Sequence, residues 1–493
     1  MTRFNTTKKT SKTTNHEGEV AYTLSPELEL YTLVVTSMFS DKFYESADDR
    51  LTRLRALLVK VSPEFACKVA IYAREQMYLR TMPLVLMVEL AKVHSGDSLV
   101  GDTLGRVIQR VDEITETLAY YALSNERQGI KKLGKLSKQI QRGLAAAFNK
   151  FDEYQFAKYD RAADIKLRDA LFIVHPKAKT PESSALFDKI VAGTLETPLT
   201  WETELSAKGN NKESWEGLLD SKKVGYMALL RNLRNILDAG IDHGRLANVA
   251  SYLSSPEAVQ KSKQLPFRFL SAHKELKDNA SPSTSMILGA LEAALQASVE
   301  NLKGFDYNTT IAIACDVSGS MQTPISAKSK VQNYDIGLLL GMLLQHKCKS
   351  VVSGIFGDSF KIINLPQNSI LQNVDELHRR EGEVGYSTNG YLVLDGLLRK
   401  DVKADKVMMF TDCQMWNSYG DGSHMAKSWA AYKKFHPSAK LYLFDLSGYG
   451  NTPVSTMSND VYLIAGWSDK VFDVMDAYEK GSSAVEKIKE IVI

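Results

Sequence analysis

Apolar residues recur every three or four positions over much of the first 300 residues, which predicts amphipathic helices separated by short breaks. One such segment opens with Leu28 and Leu33, and a second covers residues 48–61. Pro63 and Pro83 stand ahead of further apolar faces, where the first turn of a helix tolerates proline. Successive helices of this length, each with one apolar face, predict helix pairs stacked as in an α-solenoid.

After residue 308 the pattern changes to short apolar runs that alternate with helical segments. Strands are predicted at 310–316, 351–356, 405–411, 440–446 and 461–465, and helices at 332–347, 425–435 and 468–480. Strands that alternate with helices form a doubly wound, mostly parallel sheet. Residues 303–308 separate the two patterns, so the sequence predicts a helical domain followed by an α/β domain.

The first of these strands ends in a group of oxygen-bearing side chains. Asp316 closes the apolar run, and Ser318 and Ser320 follow at spacings of two, with Gly319 allowing a tight turn between them. The carboxyl ends of parallel strands are where open α/β sheets bind ligands. A carboxylate and two hydroxyls suit Mg²⁺, Mn²⁺ or Ca²⁺ and not zinc. The same composition is also common in turns and helix caps.

Two later stretches favour the metal interpretation. Residues 382–390 form a glycine-rich loop that carries Thr388, and Asp412 closes the strand predicted at 405–411. The order and spacing resemble the metal site of the von Willebrand A domain. That resemblance implies one divalent cation (Mg²⁺ or Mn²⁺, with Ca²⁺ as an alternative) held by Asp316, Ser318, Ser320, Thr388 and Asp412.

Length and composition narrow the class of protein. A chain of 493 residues is too long for one ordinary domain, and 44% hydrophobic with 24% charged residues is typical of globular proteins. No apolar run is long enough to cross a bilayer, and the first residues do not form a signal peptide. The four cysteines stand far apart without a CxxC pair, which indicates reduced core residues in a cytoplasmic protein and excludes a secreted adhesion module.

Positive charge is concentrated locally, although the net charge is only +3. Residues 127–179 hold 13 basic and 5 acidic side chains, and a helix is predicted over 129–150. Four of its basic side chains share one face: Lys131, Lys135, Lys138 and Arg142. Like charges at such spacings repel, so a stripe of one sign indicates an anionic partner such as RNA. The alternative is a charged face that water solvates. Residues 1–17 are predicted to be a disordered basic tail.

Further basic residues follow the predicted helix: Lys166, Arg168, His175 and Lys177. His175 ends an apolar run just before Pro176. It is either a helix-capping residue, which the helix dipole favours, or a contact for RNA bases and phosphates. Arg231, Asn232 and Arg234 stand in a strongly apolar helix. Hydrogen bonding between helices is the favoured role for these three, and RNA contact the second.

Several segments of the helical half resemble the TROVE domain. They are Arg-Asp…His-Pro-Lys at 168–177, Trp-Glu-Thr at 201–203, Leu-Leu-Arg-Asn-Leu at 229–233 and Pro-Phe-Arg-Phe-Leu at 266–270. A TROVE domain followed by a von Willebrand A domain resembles the Ro autoantigen family, here a bacterial or phage-type member. The resemblance implies a ring of HEAT-like helix pairs closed by the A domain. The implied domains are a tail at 1–17, the TROVE-like domain at 18–303 and the A domain at 304–493.

The resemblance also implies a function. A Ro protein binds small noncoding Y-like RNA on an outer basic surface and takes single-stranded 3′ ends of structured or misfolded RNA into the ring. It acts in RNA quality control or processing, with an exoribonuclease as a further partner. We therefore expect a non-enzymatic cytoplasmic protein, monomeric within a ribonucleoprotein and without a membrane partner. Its expected RNA contacts are Lys131, Lys135, Lys138, Arg142, Lys166, Arg168, His175 and Lys177.

Two other classes of function remain. A metal-dependent scaffold would bind proteins and no RNA. A metal-dependent phosphohydrolase would use the same cation on phosphate esters. The motif supplies ligands but no evident general base, since no histidine lies beside Asp316 or Thr388 in the sequence.

Overall fold

The computed structural model describes residues 11–36, 44–126, 135–160, 164–198, 200–299, 309–326, 329–420, 424–456, 460–468 and 470–493. The chain divides into two compact units. Unit 1 comprises residues 1–51 and 225–484, and unit 2 comprises residues 52–224 and 485–493. Unit 1 therefore joins the predicted α/β domain to five helices of the helical half and to the N-terminal segment.

Unit 1 is built on a six-stranded sheet with the order β5-β4-β3-β6-β7-β9, in which only β5 is antiparallel to its neighbour. Its strands are β3 (Thr310–Asp316), β4 (Ser350–Phe356), β5 (Phe360–Ile362), β6 (Lys406–Thr411), β7 (Lys440–Asp445) and β9 (Val461–Ala465). Every residue of β6 is buried, as expected for a central parallel strand. The predicted doubly wound sheet is confirmed.

Helices flank this sheet close to their predicted positions. They are α18 (Asn333–Lys347), α19 (Leu371–Arg379), α20 (Tyr391–Arg399), α21 (Met425–Phe435) and α22 (Val471–Glu479). The helix α18 lies very near the sheet because Gly337 and Gly341 face it. A Cβ atom at Gly341 would come within 2.9 Å of the Cys315 sulfur. This contact fixes α18 behind the strand that carries Asp316.

A second sheet of unit 1 contains the N-terminal segment. Its order is β1-β2-β8, with β1 at Lys12–Thr14, β2 at Val20–Thr23 and β8 at Asn451–Thr452. The predicted disordered tail is therefore wrong for residues 11–17. These residues have too few apolar side chains to form a core of their own. They are ordered because β1 pairs with β2 through backbone hydrogen bonds, and β2 pairs in turn with β8. Residues 1–10 lie outside the described residues.

The remaining helices of unit 1 are α1 (Pro26–Thr36), α13 (Tyr226–Asp238), α14 (His243–Ser254), α15 (Pro256–Ser262), α16 (Pro266–Leu276) and α17 (Thr284–Val299). They attach to the sheet through buried polar contacts. Tyr31 on α1 donates a 3.0 Å hydrogen bond to the carbonyl of Ala465 at the end of β9. Lys274 on α16 forms a 2.5 Å ion pair with the buried Asp335 on α18. The Pro-Phe-Arg-Phe-Leu segment is thus the first turns of α16.

Unit 2 is helical. It contains most of α2 (Ala47–Leu58), then α3 (Pro63–Glu75), α4 (Thr81–Val93), α5 (Leu99–Val107), α6 (Asp112–Ser124), α7 (Lys138–Phe148), α8 (Glu153–Tyr159), α9 (Leu167–Val174), α10 (Pro181–Ala192), α11 (Trp201–Lys208), α12 (Lys212–Asp220) and the C-terminal α23 (Ala484–Lys489). Helices this short are stable only through packing of their apolar faces. The predicted division into a helical region and an α/β sheet is confirmed.

One predicted helix is shorter than expected. The basic helix expected over 129–150 is α7, which begins at Lys138, and Lys135 lies in a bend before it. Ile140 and Leu144 are buried on α7, as predicted, and Gly143 lets it approach α5 closely. Lys150, which follows α7, does not add to the basic stripe, because its ammonium group donates to the carbonyls of Gly105 and Ile108 at the end of α5.

Three further expectations concern the chain as a whole. All four cysteines are buried and unpaired, as predicted. None of the helices in the described part of the chain is long and apolar enough to cross a membrane. The closed ring and the domain boundaries at 17/18 and 303/304 stay predictions.

Candidate metal and RNA sites

The two predicted aspartates close neighbouring strands and lie at one edge of the sheet. Asp316 ends β3 and Asp412 directly follows β6, and both side chains are almost fully buried. Ser318 donates its backbone N–H to Asp316 Oδ1 at 2.9 Å, and its hydroxyl lies 3.3 Å from that of Ser320. Thr411 donates a 2.6 Å hydrogen bond to Asp316 Oδ2. The first motif is therefore bonded directly to the strand that carries the second.

Thr388 lies in a loop that is bonded to both motifs. The backbone N–H of Gly319 donates to the carbonyl of Tyr386 at 2.9 Å, and that of Trp416 donates to the carbonyl of Thr388 at 2.9 Å. The Thr388 side chain is buried. We call Asp316, Ser318, Ser320, Thr388 and Asp412 the metal-site cluster, because the structure gathers the three predicted motifs at one edge of the sheet.

The electrostatics of this cluster suit a cation. Burial raises the pKa of Asp316 to about 6, and burial together with the charge of Asp316 raises the pKa of Asp412 to about 7. Asp412 Oδ2 accepts no hydrogen bond from the described residues, although the Ser320 hydroxyl lowers the pKa of that carboxyl. Two buried carboxylates and an unsatisfied oxygen are stabilised by a bound cation, so the donors present fit a hard divalent ion.

The cluster differs from sites built from acidic and sulfur ligands. No group of three or more His, Cys, Asp or Glu side chains that could hold a metal occurs in the described part of the chain. Any ion here would take much of its coordination from hydroxyls, as the Asp-x-Ser-x-Ser pattern predicts. The identity of the ion stays a prediction.

The predicted RNA contacts of unit 2 lie on α7, on α9 and in the segments beside them. Lys131 lies outside the described residues. Lys135 and Lys138 are exposed at the start of α7. Arg142 is also exposed but forms a 2.9 Å ion pair with Asp102 on α5. The stripe is therefore less uniformly positive than the sequence indicates.

The other four residues lie at the two ends of α9, and all four are exposed. Lys166 and Arg168 are at its start, whereas His175 and Lys177 follow its end. His175 caps the helix with φ of 49°, in the left-handed region, and donates its backbone N–H to Leu171 at 2.9 Å. The capping interpretation thus describes the backbone of His175, while its imidazole remains exposed to solvent.

Hydrogen bonds join the two helices into one surface. Gln141 on α7 donates to the carbonyl of Val174 at 3.0 Å, and Asn149 donates to the carbonyl of Lys177 at 3.1 Å. We call Lys135, Lys138, Arg142, Lys166, Arg168, His175 and Lys177 the basic surface. Its basic residues lie on the two packed helices or beside their ends, so the fold sets the spacing between the two groups.

The three polar residues of α13 divide into two kinds. Asn232 is buried and donates to the carbonyl of Ala228 at 2.8 Å within its own helix. Arg231 and Arg234 are instead exposed, and Arg234 donates a hydrogen bond to Glu275 on α16, so the predicted hydrogen bonding between helices holds for Arg234. They line a cavity of about 470 Å³ between α13 and α16, together with Arg268, Glu275 and Lys330. Glu275 pairs with Arg234 at 3.2 Å and with Lys330 at 2.8 Å.

Comparison with protein families places a known domain on this chain. The family model described as the TROVE domain matches residues 175–303. This part of the chain is therefore similar to the TROVE domain. The match begins at His175 and includes α10 to α17, so it contains His175, Lys177 and the helices α13 and α16 that line the cavity, whereas α7 and the metal-site cluster lie outside it.

Two curated proteins resemble this chain over part of its length. Telomerase protein component 1 of Rattus norvegicus is 26% identical over 348 residues, and that of Mus musculus is 25% identical over 349 residues. Each alignment covers 52% of this chain and 13% of the relative. The chain thus spans about an eighth of the length of these relatives.

A solved structure shares the fold. The crystal structure of the Deinococcus radiodurans Ro (RSR) protein superposes with a TM-score of 0.60 at 17% identity, covering 93% of this chain and 100% of that chain. The expected resemblance to the Ro family, with a TROVE domain and an α/β domain on one chain, is confirmed.

The chain also has candidate residues that the sequence pattern alone did not identify. Asp445 ends β7 and is buried beside the cluster, where its charge raises the pKa of Asp412. Its position at the end of an apolar run resembles that of Asp412, which was a usable signal. Phe172 on α9 is 49% exposed, four residues after Arg168 and on the basic surface. The sequence does not indicate that Phe172 is exposed, because it does not show which face of this apolar helix is buried.

Proposed function

We propose that this TROVE protein binds RNA and acts in RNA quality control or processing, holding small noncoding Y-like RNA and single-stranded 3′ ends. Proteins of the TROVE and Ro families bind RNA. The observation that carries the proposal is the basic surface, where exposed cations stand on two helices that are hydrogen-bonded to each other. Phosphate groups are the partner that such a surface favours, because their binding releases counterions.

The chemistry of the surface suits an RNA end as well as a helix. Lys135 and Lys138 supply charge for phosphates. Phe172 and the imidazole of His175 are exposed ring surfaces on which unpaired bases can stack, and stacking of this kind is worth about 1–3 kcal/mol per base. A surface that combines exposed cations with exposed rings favours RNA over an acidic peptide, which would not need the rings.

The cavity between α13 and α16 is a second candidate contact. Four cationic side chains and one carboxylate line it, so its net charge is positive. Arg231 is exposed at its edge. A guanidinium group binds phosphate through paired N–H donors, which makes this cavity suitable for the RNA backbone.

The direct test is to isolate the protein from cells after crosslinking and to sequence the RNA attached to it. We expect discrete small RNAs and RNA ends, together with a raised absorbance at 260 nm in the uncrosslinked preparation. A preparation free of RNA, with no crosslinked sequences, would favour the metal-dependent scaffold that binds proteins alone. An exoribonuclease recovered with the RNA would support the proposed processing role.

We further propose that the metal-site cluster holds Mg²⁺ or Mn²⁺, with Ca²⁺ as an alternative. Asp316 and Asp412 would supply the charge, and Ser318, Ser320 and Thr388 the neutral oxygens. When bound, such an ion offers a coordination position to an anionic group. Calorimetric titration of the metal-free protein with each ion tests the assignment directly.

The phosphohydrolase alternative has one observation in its favour. His16 reaches the region of the cluster, where its ring stacks on Tyr44 at 5.2 Å, although no histidine is near in the sequence. We propose a non-enzymatic role, in which the ring of His16 packs against the rings of Tyr44 and Tyr449. A hydrolysis assay with Mg²⁺ or Mn²⁺ and a phosphate ester decides the question, and activity lost in His16→Ala would overturn the proposal.

A further inference from the structure

A tight turn between β1 and β2 lies against the metal-site cluster. The side chain of Asn15 holds this turn, because its Oδ1 accepts the backbone N–H of Glu17 at 3.1 Å and of Glu19 at 2.9 Å. Gly18 has φ of 83°, which the turn requires and which glycine adopts without strain. The turn is therefore a built feature that presents His16 and Glu17 in fixed positions.

The turn is bonded to the loop that carries Asp412. Asn15 Nδ2 donates to the carbonyl of Met415 at 2.7 Å, and the backbone N–H of His16 donates to Gln414 Oε1 at 2.9 Å. The backbone N–H of the same Gln414 donates to Asp412 Oδ1 at 3.0 Å. One buried residue thus connects the N-terminal turn to a carboxylate of the cluster.

Three aromatic rings pack against one another beside this contact. The ring of Tyr44 stacks on His16 and meets Tyr449 edge-on at 5.5 Å, and His16 lies 5.3 Å from Tyr449. The Tyr44 hydroxyl donates a hydrogen bond to the Glu17 carboxylate. The Tyr44 hydroxyl also lies near the cluster: burial and the Glu17 hydrogen bond raise its pKa most, the charge of Asp412 raises it further, and Ser320 lowers it.

We propose that the chain's own N-terminal turn is the acidic partner of the metal-site cluster. The Glu17–Tyr44 pair occupies the face on which an external carboxylate or phosphate would approach the cluster. Partner binding there then requires release of the turn. The functional role of this contact rests on the proposed metal site. That the turn covers the cluster, however, can be tested in the protein without metal.

The turn is attached in a way that allows release. Its strands β1 and β2 carry little apolar surface into the core, with Ala21 the one fully buried side chain of the two strands. Most of its attachment consists of hydrogen bonds and ring contacts, which water can replace at modest cost. Segments of this kind open locally while the rest of the fold stays intact.

The experiment measures how fast a carbodiimide couples glycine ethyl ester to Asp412 in the full-length protein without metal, read by peptide mass spectrometry. The release variant is Asn15→Ala with Glu17→Gln, and Glu17→Gln alone is a milder second variant. Glu19→Gln is the matched control. Glu19 belongs to the same turn, but it bonds to Asn15 through its backbone N–H and carbonyl and not through its carboxylate. Parent and variants are compared for melting temperature, to exclude global unfolding.

We expect the release variant to couple at least fivefold faster than the parent, with Glu17→Gln intermediate and Glu19→Gln unchanged. Equal rates in parent and release variant, whether fast or slow, would overturn the inference. Addition of 1 mM Mn²⁺ separates the two proposals. Protection of Asp412 by Mn²⁺ in the release variant supports the metal site, whereas absence of protection overturns the metal site and leaves the cover of the cluster in place.

Discussion

Thr411 donates a 2.6 Å hydrogen bond to Asp316, so the carboxylate that ends β3 is held by a side chain of β6. Both residues are buried, and the two strands are neighbours in the sheet. The bond fixes one oxygen of Asp316, while the other accepts the backbone N–H of Ser318. The orientation of the first metal ligand therefore depends on a residue that is not itself a predicted ligand.

Replacing Thr411 with Val should destabilise the fold by about 1–3 kcal/mol, because a buried carboxylate oxygen loses its partner. The affinity for Mn²⁺ should also fall, since Asp316 is no longer held in place. Thr411→Ser keeps the hydroxyl and is the control. Urea unfolding and calorimetry check the two effects, and a Val variant as stable as the Ser variant would contradict the role assigned to this bond.

The metal-free protein should lose stability as pH rises from about 4 to 8. The pKa of Asp316 is raised to about 6 and that of Asp412 to about 7, both above the value of 3.8 for an ordinary aspartate. The native state therefore binds more protons than the unfolded state between these values, so this contribution is complete below pH 4 and disappears as pH passes 7. We expect a loss on the order of a few kcal/mol.

Urea unfolding at pH 5, 6.5 and 8 in the presence of a chelator measures this loss. A bound divalent cation neutralises the same carboxylates, so 5 mM Mg²⁺ should restore most of the stability at pH 8 and little at pH 5. A stability that does not depend on Mg²⁺ at pH 8 would argue against the metal site.

Thr388→Ala should weaken Mn²⁺ binding by about tenfold, which corresponds to about 1.4 kcal/mol for the loss of one neutral ligand. Ser387→Ala is the matched control, since Ser387 precedes Thr388 in the same loop and is only half-buried, whereas Thr388 is buried. Calorimetric titrations of both variants provide the comparison. Equal affinities would remove Thr388 from the site and leave its buried side chain a packing role.

Lys135→Glu combined with Lys138→Glu should reduce RNA affinity by at least tenfold and lower its dependence on salt. Each lost contact with a phosphate reduces the slope of log K against log salt by about 0.7–0.9. Arg142 is left unchanged, because reversing its charge would also break its ion pair with Asp102, and the two effects could not be separated. Lys400→Glu with Lys434→Glu, two exposed positions beside the six-stranded sheet, is the charge-matched control for filter binding.

His175→Gly separates the two interpretations of that histidine. Glycine adopts the left-handed conformation of this position at no steric cost, so the melting temperature should stay the same or rise. The exposed ring is lost, and RNAs with single-stranded ends should bind several-fold more weakly. An unchanged affinity, measured by filter binding with tailed and tail-less RNA, would restrict His175 to the helix cap.

The sheet was predictable because each of its strands is a short apolar run that ends at a polar residue. Asp316 and Asp412 follow that rule, and their meeting at one edge follows from parallel pairing. The same rule would have found Asp445. The N-terminal turn was not predictable, because residues 11–17 have the composition of a disordered tail and gain order from pairing with β2 and from hydrogen bonds to residues about 400 positions away.

The basic surface was predictable only in part. Counting charges located residues 127–179, but it could not show that Lys135 precedes its helix or that Asp102 neutralises Arg142. Both facts depend on where α5 packs against α7. Gly143 permits that contact, but the sequence alone does not show which helix packs against it.

The hydrogen bond between Tyr31 and Ala465 has a consequence for the order in which the protein is made. The two residues are 434 positions apart, so at about 5–20 residues per second a ribosome completes the partner of α1 roughly 20–90 s after α1 itself. During that interval the side chains of Leu30, Leu33 and Val34, buried in the finished fold, have no native neighbours from the sheet. The nascent chain therefore carries an apolar helix without its native neighbours until β9 has been made, and it should depend on a chaperone for that time.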